Sequence, residues 1–188
     1  VKLLSWMESH LEHGLSEMQV AEAFASFRRE GSVDYLDESF APIVAYGEHG
    51  AIVHYEPTVE SDVRIGSDQF LLMDTGAHYR FGTTDTTRTW HFGTPNEEQI
   101  KDYTLVLQGM IRLSMAQFPK GTRGAQLDML ARQPLMNAGM SFSHGTGHGI
   151  GHVLCVHEGP QSIRLQENPV QLQPGMIQSN EPAVYKPG

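Results

Sequence analysis

The sequence predicts an α+β fold whose sheets are antiparallel. Apolar residues recur at three- and four-residue spacings in an opening segment and in later ones, the mark of amphipathic helices. Between them lie short apolar and β-branched runs grouped as hairpins. Strands do not alternate with helices, as they would in a wound parallel sheet.

The opening VKLLSWMESHLEHG places Leu3, Leu4, Met7 and Leu11 on one helical face, with Gly14 as the stop. Ser16 to Gln19 forms a capping box, and the helix it opens carries Val20, Ala21, Phe24 and Phe27. Residues 42–46 and 51–55, joined by Gly47-Glu-His-Gly50, are expected to pair as a hairpin. Residues 70–74 read as an apolar strand ending on Asp74, and the β-branched 83–90 run back beside it. Thr94-Pro95-Asn96-Glu97 is a second capping box with Pro at the first helical position. The helix it opens carries Ile100, Tyr103, Leu107 and Met110 and is expected to break at Pro119-Lys-Gly121. A third helix spans about residues 125–138 and stops at Gly139 despite Pro134. Residues 175–182 read as a strand running into a loop.

Composition excludes several classes. The 188 residues can bury one sizeable core, and a single domain is expected over 1–188. With 13 Lys+Arg against 22 Asp+Glu, a net charge of −9 and no basic run, nucleic acid is not an expected partner. The lone Cys155 excludes an internal disulfide and a Cys-based zinc cluster, and its VLCV context predicts a buried small hydrophobe. No stretch approaches the ~18 apolar residues of a membrane span, so no membrane association is expected. The first residues lack a basic-then-apolar leader, which makes the cytoplasm the expected compartment. A chain that starts at full helical stride without Met reads as cut from a longer one.

Three constellations bear chemistry. If 70–74 and 85–90 pair about a turn centred between residues 79 and 80, Asp74 and Asp85 lie directly opposite. Like charges that close need a cation between them, whether Arg88 or a metal. Asp74-Thr-Gly-Ala is also good turn chemistry and Asp85 would suit a solvated hairpin, and the pair alone slightly favours that reading. The second is SFSHGTGHGIGHVLCVHEGPQ, residues 141–161, in which His144, His148, His152 and His157 fall within fourteen positions. Neither glycine frame meets the dinucleotide fingerprint: Ile150 and His152 stand where the last Gly belongs. A helical metal face is disfavoured because His144 and His148 enclose two glycines, each costing a helix about 1 kcal/mol. A glycine-rich loop that lets side chains converge is expected, with metal or proton chemistry. The third is Glu181, before Pro182; alone it reads as a loop acid. Carboxylates combined with an imidazole suit Mn, Fe or Co better than a closed structural zinc.

Asp74-Thr-Gly-Ala, Thr84-Asp85-Thr-Thr-Arg-Thr89, His144-Gly-Thr-Gly-His148-Gly-Ile-Gly, Val156-His-Glu-Gly-Pro160 and Asn180-Glu-Pro182 occur in that order. Together, over residues 35–188, they resemble the catalytic domain of the pita-bread metallopeptidases, most nearly the Xaa-Pro aminopeptidase branch beside prolidase. The resemblance implies a curved antiparallel sheet covered by helices and two divalent metals, Mn first, with Co or Zn as alternatives. It implies Asp74, Asp85, His148 and Glu181 as ligands, Asp85 bridging and Glu181 doubling as general base. His54, His157 and His144 would hold substrate and stabilise the tetrahedral intermediate, and His152 would be incidental. The substrates implied are peptides with proline second, handled by a homo-oligomeric full-length protein. Prolidase activity, a peptide-binding pseudo-peptidase and a metal-free creatinase-like hydrolase are the rival expectations. The retained ligands and hairpin aspartates disfavour the last two.

Two departures from the family pattern are visible. Ala183 stands where Gly is usual, and a fifth ligand, a bridging Glu in an Arg-x-Glu-Asn-type strand, is expected beyond the sequence given. The fold is therefore expected to be incomplete at the C-terminus, and these 188 residues to bind at most one metal or to bind weakly. The parent chain is expected to supply that strand and an N-terminal domain.

Overall fold

The structure, a computed structural model, describes residues 2–186. Val1, at the head of the predicted opening helix, and Pro187 and Gly188 lie outside the described residues. The chain forms two compact units. One runs through Pro95 and takes in His152–Leu154; the other consists of Asn96–Gly151 and Cys155–Val184.

The first unit opens with α1 (Lys2–His10) and a 3-10 turn over Leu11–His13, ended by Gly14 at φ 78°. That left-handed conformation favours glycine, so the predicted stop is where the backbone needs it. Helix α2 (Glu17–Gly31) begins with the predicted capping box: Ser16 Oγ accepts from Gln19 N–H, and Gln19 Oε1 accepts from Ser16 N–H. Strands β1 (Tyr35–Glu38), β2 (Ile43–Tyr46), β3 (Leu71–Thr75), β4 (Ala77–Tyr79), β5 (Gly82–Thr83) and β6 (Thr86–Trp90) follow. They pair antiparallel as two three-stranded sheets, ordered β1-β4-β5 and β2-β3-β6. Leu3 and Met7 of α1 and Val20 of α2 pack with Val44, Leu71 and Met73 in one core. Because side chains alternate along a strand, Leu72 and Asp74 point to the other face, where Ile43, Ala45 and Tyr55 gather.

Two expectations fail in this unit. Residues 51–55 do not form a strand: β2 pairs with β3 instead, and Gly47–Ala51 is a 3-10 turn. The buried Glu17 carboxylate is the local cause, since it accepts the Tyr46 N–H at 2.6 Å and engages His49 Nδ1 at 3.0 Å, curling the chain after Tyr46. The β3–β6 register is also displaced by two residues, with Asp74 opposite Thr87 rather than Asp85. The chain turns on exposed Arg80 and Phe81, Tyr79 pairing with Gly82, which moves the centre of the turn one residue later than predicted.

The second unit packs α3 (Glu97–Ser114) and α4 (Gly124–Asn137) with β7 (Gly147–Ile150) and β8 (His157–Ile163), an antiparallel pair. Leu113, Leu127, Ala131 and Ile163 form its core. The helices meet at Gly109, where a Cβ would lie 2.1 Å from the Ala131 carbonyl oxygen. The cap of α3 is Asn96, two residues later than expected, because Asn96 Oδ1 accepts from Gln99 N–H while Gln99 Oε1 accepts from Asn96 N–H. Pro95 thus precedes the helix, which ends at Ser114, short of Pro119. Helix α4 matches expectation, Pro134 included, with Gly139 beyond it at φ 75°. Cys155 is exposed rather than buried, since it belongs to the connection between β7 and β8. Residues 175–182 form no strand, although Gln178 makes an antiparallel bridge with Gly149 of β7. Among the described residues no helix is long and apolar enough to cross a membrane.

Candidate functional site

In the first unit, β3 delivers Asp74, half-buried, and the return of the hairpin delivers Asp85, also half-buried, one residue before β6. A register shift of two residues, unlike a shift of one, preserves the side to which each position points. The end of β3 is clamped by Arg28 of α2, which the sequence reading did not single out. Its guanidinium donates to Thr75 Oγ1 and to Gly76 O, and it pairs with Glu38 at 2.5 Å. Thr75 and Gly76 directly follow Asp74, so this half-buried cation fixes the backbone that carries the carboxylate. His54 is exposed, at a turn with φ 61°, and not on the expected strand.

The glycine–histidine run is a strand only over Gly147–Ile150 of the second unit, where His148 sits, with His144 and His152 in bends on either side, rather than a loop throughout. None of Gly145, Gly147, Gly149 and Gly151 has positive φ, and the last three serve close approach. A Cβ at Gly147 would stand 2.1 Å from Ser179 O, and one at Gly149 would stand 2.2 Å from Glu158 O. The bare strand lets residues 177–181 run alongside it. Ser179 N–H donates to His148 O at 2.9 Å, and Glu181 N–H donates to Thr146 O at 2.8 Å. His148 N–H donates to Ser179 Oγ, whose hydroxyl donates to Glu181 Oε1 at 2.7 Å.

This lacing brings three predicted residues together. His148 Nε2 and Glu181 Oε1 lie 3.0 Å apart, and the His157 ring meets the His148 ring edge-on with centroids 4.3 Å apart. His148 Nδ1 faces the Gly149 carbonyl at 2.8 Å. A carbonyl can only accept, so Nδ1 carries a proton and donates there, which turns Nε2 toward the Glu181 carboxylate. At 3.0 Å, Nε2 and the carboxylate are held together by a proton, or by a cation that takes its place. Burial pushes the Glu181 carboxyl up, but hydrogen bonds from His148 and Ser179, with the nearby charges of His148 and His144, hold it below the ordinary glutamate value. An ionised carboxylate beside an imidazole whose Nδ1 is committed to a carbonyl, leaving Nε2 to ligate once its proton is displaced, is a donor set that fits a divalent cation. His144 lies near enough to act on the Glu181 carboxyl, with its ring tilted on Phe142 at 4.9 Å and its Nδ1 on the Gly145 carbonyl. His152 belongs to the first unit, where its ring nitrogen meets Tyr79 O at 3.3 Å.

The strand is held from beneath by groups the sequence reading missed. Arg132, 2% exposed, and Asp128, fully buried, pair at 2.6 Å on α4. Arg132 also donates to the carbonyls of Phe142 and His144, and Thr146 donates to Asp128 at 2.5 Å. An acid and a base four apart on a helix were the available signal, though such spacing more often marks a solvated surface pair.

The whole chain, residues 1–188, matches the description of metallopeptidase family M24. The chain belongs to that family. It is 44% identical over 191 residues to a probable Xaa-Pro aminopeptidase P of Coprinopsis cinerea, covering 100% of this chain and 30% of that protein. A probable Xaa-Pro aminopeptidase P of Tuber melanosporum is 46% identical over 188 residues, covering 98% and 30%. Among solved structures, X-prolyl aminopeptidase of Caenorhabditis elegans, described as a cytosolic enzyme with a di-nuclear active site, superposes with a TM-score of 0.93 at 39% identity. That match covers 99% of this chain and 31% of the other. Prolidase of Pyrococcus furiosus matches with a TM-score of 0.82 at 29% identity, covering 99% and 54%. The chain thus spans about a third of the length of the aminopeptidases it resembles. The M24 membership and these structures bear out the expected α+β, pita-bread fold class.

Proposed function

We propose that residues 1–188 act as the catalytic part of a longer metal-dependent exopeptidase that removes the first residue from peptides with proline second. The observation that carries this reading is the His148–Glu181 pair on its glycine-built strand, with His157 packed against it. Family membership and the aminopeptidases among its relatives support it.

In this reading Asp74, Asp85, His148 and Glu181 would hold two divalent cations, manganese first, together with the bridging Glu expected of the longer chain. When bound, such cations make a coordinated water acidic near neutral pH and polarise the scissile carbonyl. Glu181, kept ionised by its hydrogen bonds, accepts the proton that the attacking water gives up. His157, His144 and His54 donate N–H groups where negative charge develops on the carbonyl oxygen and orient the peptide. The Nδ1–Gly149 bond of His148 keeps its Nε2 directed at the site throughout. A cytoplasmic location and a homo-oligomeric full-length protein complete the proposal.

The test is release of the first residue from an X-Pro-Y tripeptide by the full-length protein, lost with chelator and restored by Mn²⁺. Cleavage of X-Pro dipeptides with no cleavage of tripeptides would make prolidase the correct reading, which the structural likeness to the Pyrococcus enzyme keeps in view.

A further inference from the structure

From the second unit alone we infer that Asp128, Arg132 and Thr146 are positioning residues for His144, His148 and Glu181. This inference rests on the proposed function for its catalytic meaning.

A buried ion pair needs a reason. Taking each charge out of water costs several kcal/mol, and an apolar pair of similar volume often packs a helix as well or better. Arg132 and Asp128 are both essentially inaccessible, and so is Thr146. Beyond pairing with each other, these groups spend their hydrogen bonds on one short segment. Arg132 Nη1 donates to Phe142 O at 2.6 Å, and Nη2 donates to His144 O at 2.7 Å, with the guanidinium 3.8 Å above the Phe142 ring. Asp128 Oδ1 accepts the Thr146 hydroxyl at 2.5 Å. Alternate residues of 142–146 are therefore pinned to α4, immediately before the strand that carries His148.

The relay continues through the backbone. Thr146 O accepts the Glu181 N–H, and two residues on His148 O accepts the Ser179 N–H. One hydroxyl thus ties α4 to the chain entering the strand that carries the imidazole, and the Thr146 carbonyl ties that same residue to the segment carrying the carboxylate. Arg132 fixes the His144 carbonyl, and so the start of its side chain. Loosening the relay shifts these groups together, and supports behind metal ligands typically matter 10–100-fold in affinity or activity.

Thr146 allows the role to be separated from packing. Thr146→Val keeps the shape and removes the hydroxyl; Thr146→Ser keeps the hydroxyl and removes the methyl. A packing role predicts that Val is the better substitute, and a positioning role predicts Ser. In the full-length protein, Thr146→Val should weaken binding of Mn²⁺ alone, read by calorimetry, by about 10–100-fold. On a tripeptide it should lower kcat with little change in KM, and Thr146→Ser should stay within about threefold of wild type in both assays. Arg132→Lys, which cannot span the two carbonyls, should follow Val. A readout independent of metal and turnover is the ring-proton NMR signals of His144 and His148 in the metal-free protein. They should be single and sharp in wild type and Ser, and broadened or doubled in Val. Unchanged ring signals in a folded Val variant, or Mn²⁺ affinity retained while only melting temperature falls, would overturn the inference. Absence of peptidase activity in wild type would instead overturn the proposed function and leave the NMR comparison to decide this one.

Discussion

Glu17 sits fully buried in the first unit, and its removal should loosen the turn that carries His54. Its Oε1 accepts the Tyr46 N–H at 2.6 Å and faces His49 Nδ1 at 3.0 Å, while Oε2 accepts the Tyr55 hydroxyl at 2.8 Å. Glu17→Ala strands two of these donors, because the Tyr55 hydroxyl retains Ser61 Oγ at 2.9 Å. At about 1–3 kcal/mol per stranded buried donor, with a small cavity added, the cost is about 3–5 kcal/mol. Glu17→Gln keeps the volume and one acceptor and should cost about 1–2 kcal/mol. Hydrogen exchange read over residues 43–49 is the direct assay, since about 1.4 kcal/mol corresponds to a tenfold change in the opening equilibrium. The Tyr46 amide should exchange about 10²- to 4 × 10³-fold faster in the Ala variant and about tenfold faster in Gln. An Ala variant exchanging at Tyr46 within about threefold of wild type would refute the account of this carboxylate.

Other consequences are as specific. The Tyr46 hydroxyl, 2.5 Å from Asp68, holds that carboxyl below its ordinary value of 3.8. A depressed folded value contributes stability that is present above the unfolded pKa and lost as pH falls through the folded one. Tyr46→Phe should therefore raise the Asp68 carboxyl toward the ordinary aspartate range by NMR titration, and its stability deficit should shrink as the solution is acidified. Gly147→Ala drives a methyl into Ser179 O and should cost more than the ~1–3 kcal/mol of ordinary overpacking, with loss of Mn²⁺ binding. Gly82→Ala, which meets nothing within 4 Å, should stay within about 0.5 kcal/mol of wild type in thermal unfolding. Asn96→Ala removes the α3 cap and should cost about 1 kcal/mol, with faster amide exchange confined to the first turn.

The helices and their stops were legible in the sequence because caps are local chemistry. Ser16 and Gln19 satisfy each other within four residues, and Gly14 and Gly139 adopt backbone angles that few other residues accept. The second cap fell on Asn96 rather than on the expected Thr94, with Gln99 three residues beyond it closing the box. The strand register was not legible, since Arg80-Phe81 carries no Gly, Asn or Pro to announce a turn. The strand at His148 was hidden for a different reason. Its glycines read as loop chemistry, whereas they are there because the Ser179 and Glu158 carbonyls occupy the space of a Cβ. Glu17, Arg28, Asp128 and Arg132 were invisible as supports, because burial of a charge depends on what other elements bring against it. The grouping of His148, His157 and Glu181 was anticipated through motif resemblance, and the hydrogen bonds of residues 146–149 with 177–181 give it a physical cause.

The central claim is that His148 and Glu181 belong to a metal-dependent peptidase site. Its most direct test is Mn²⁺ titration of the metal-free full-length protein, followed on the same sample by release of X from X-Pro-Y. The account predicts that activity rises in step with bound metal, and that His148→Ala and Glu181→Ala each abolish that activity while the protein stays folded. Proline-specific cleavage that is indifferent to chelator, or that survives loss of both side chains, would contradict it.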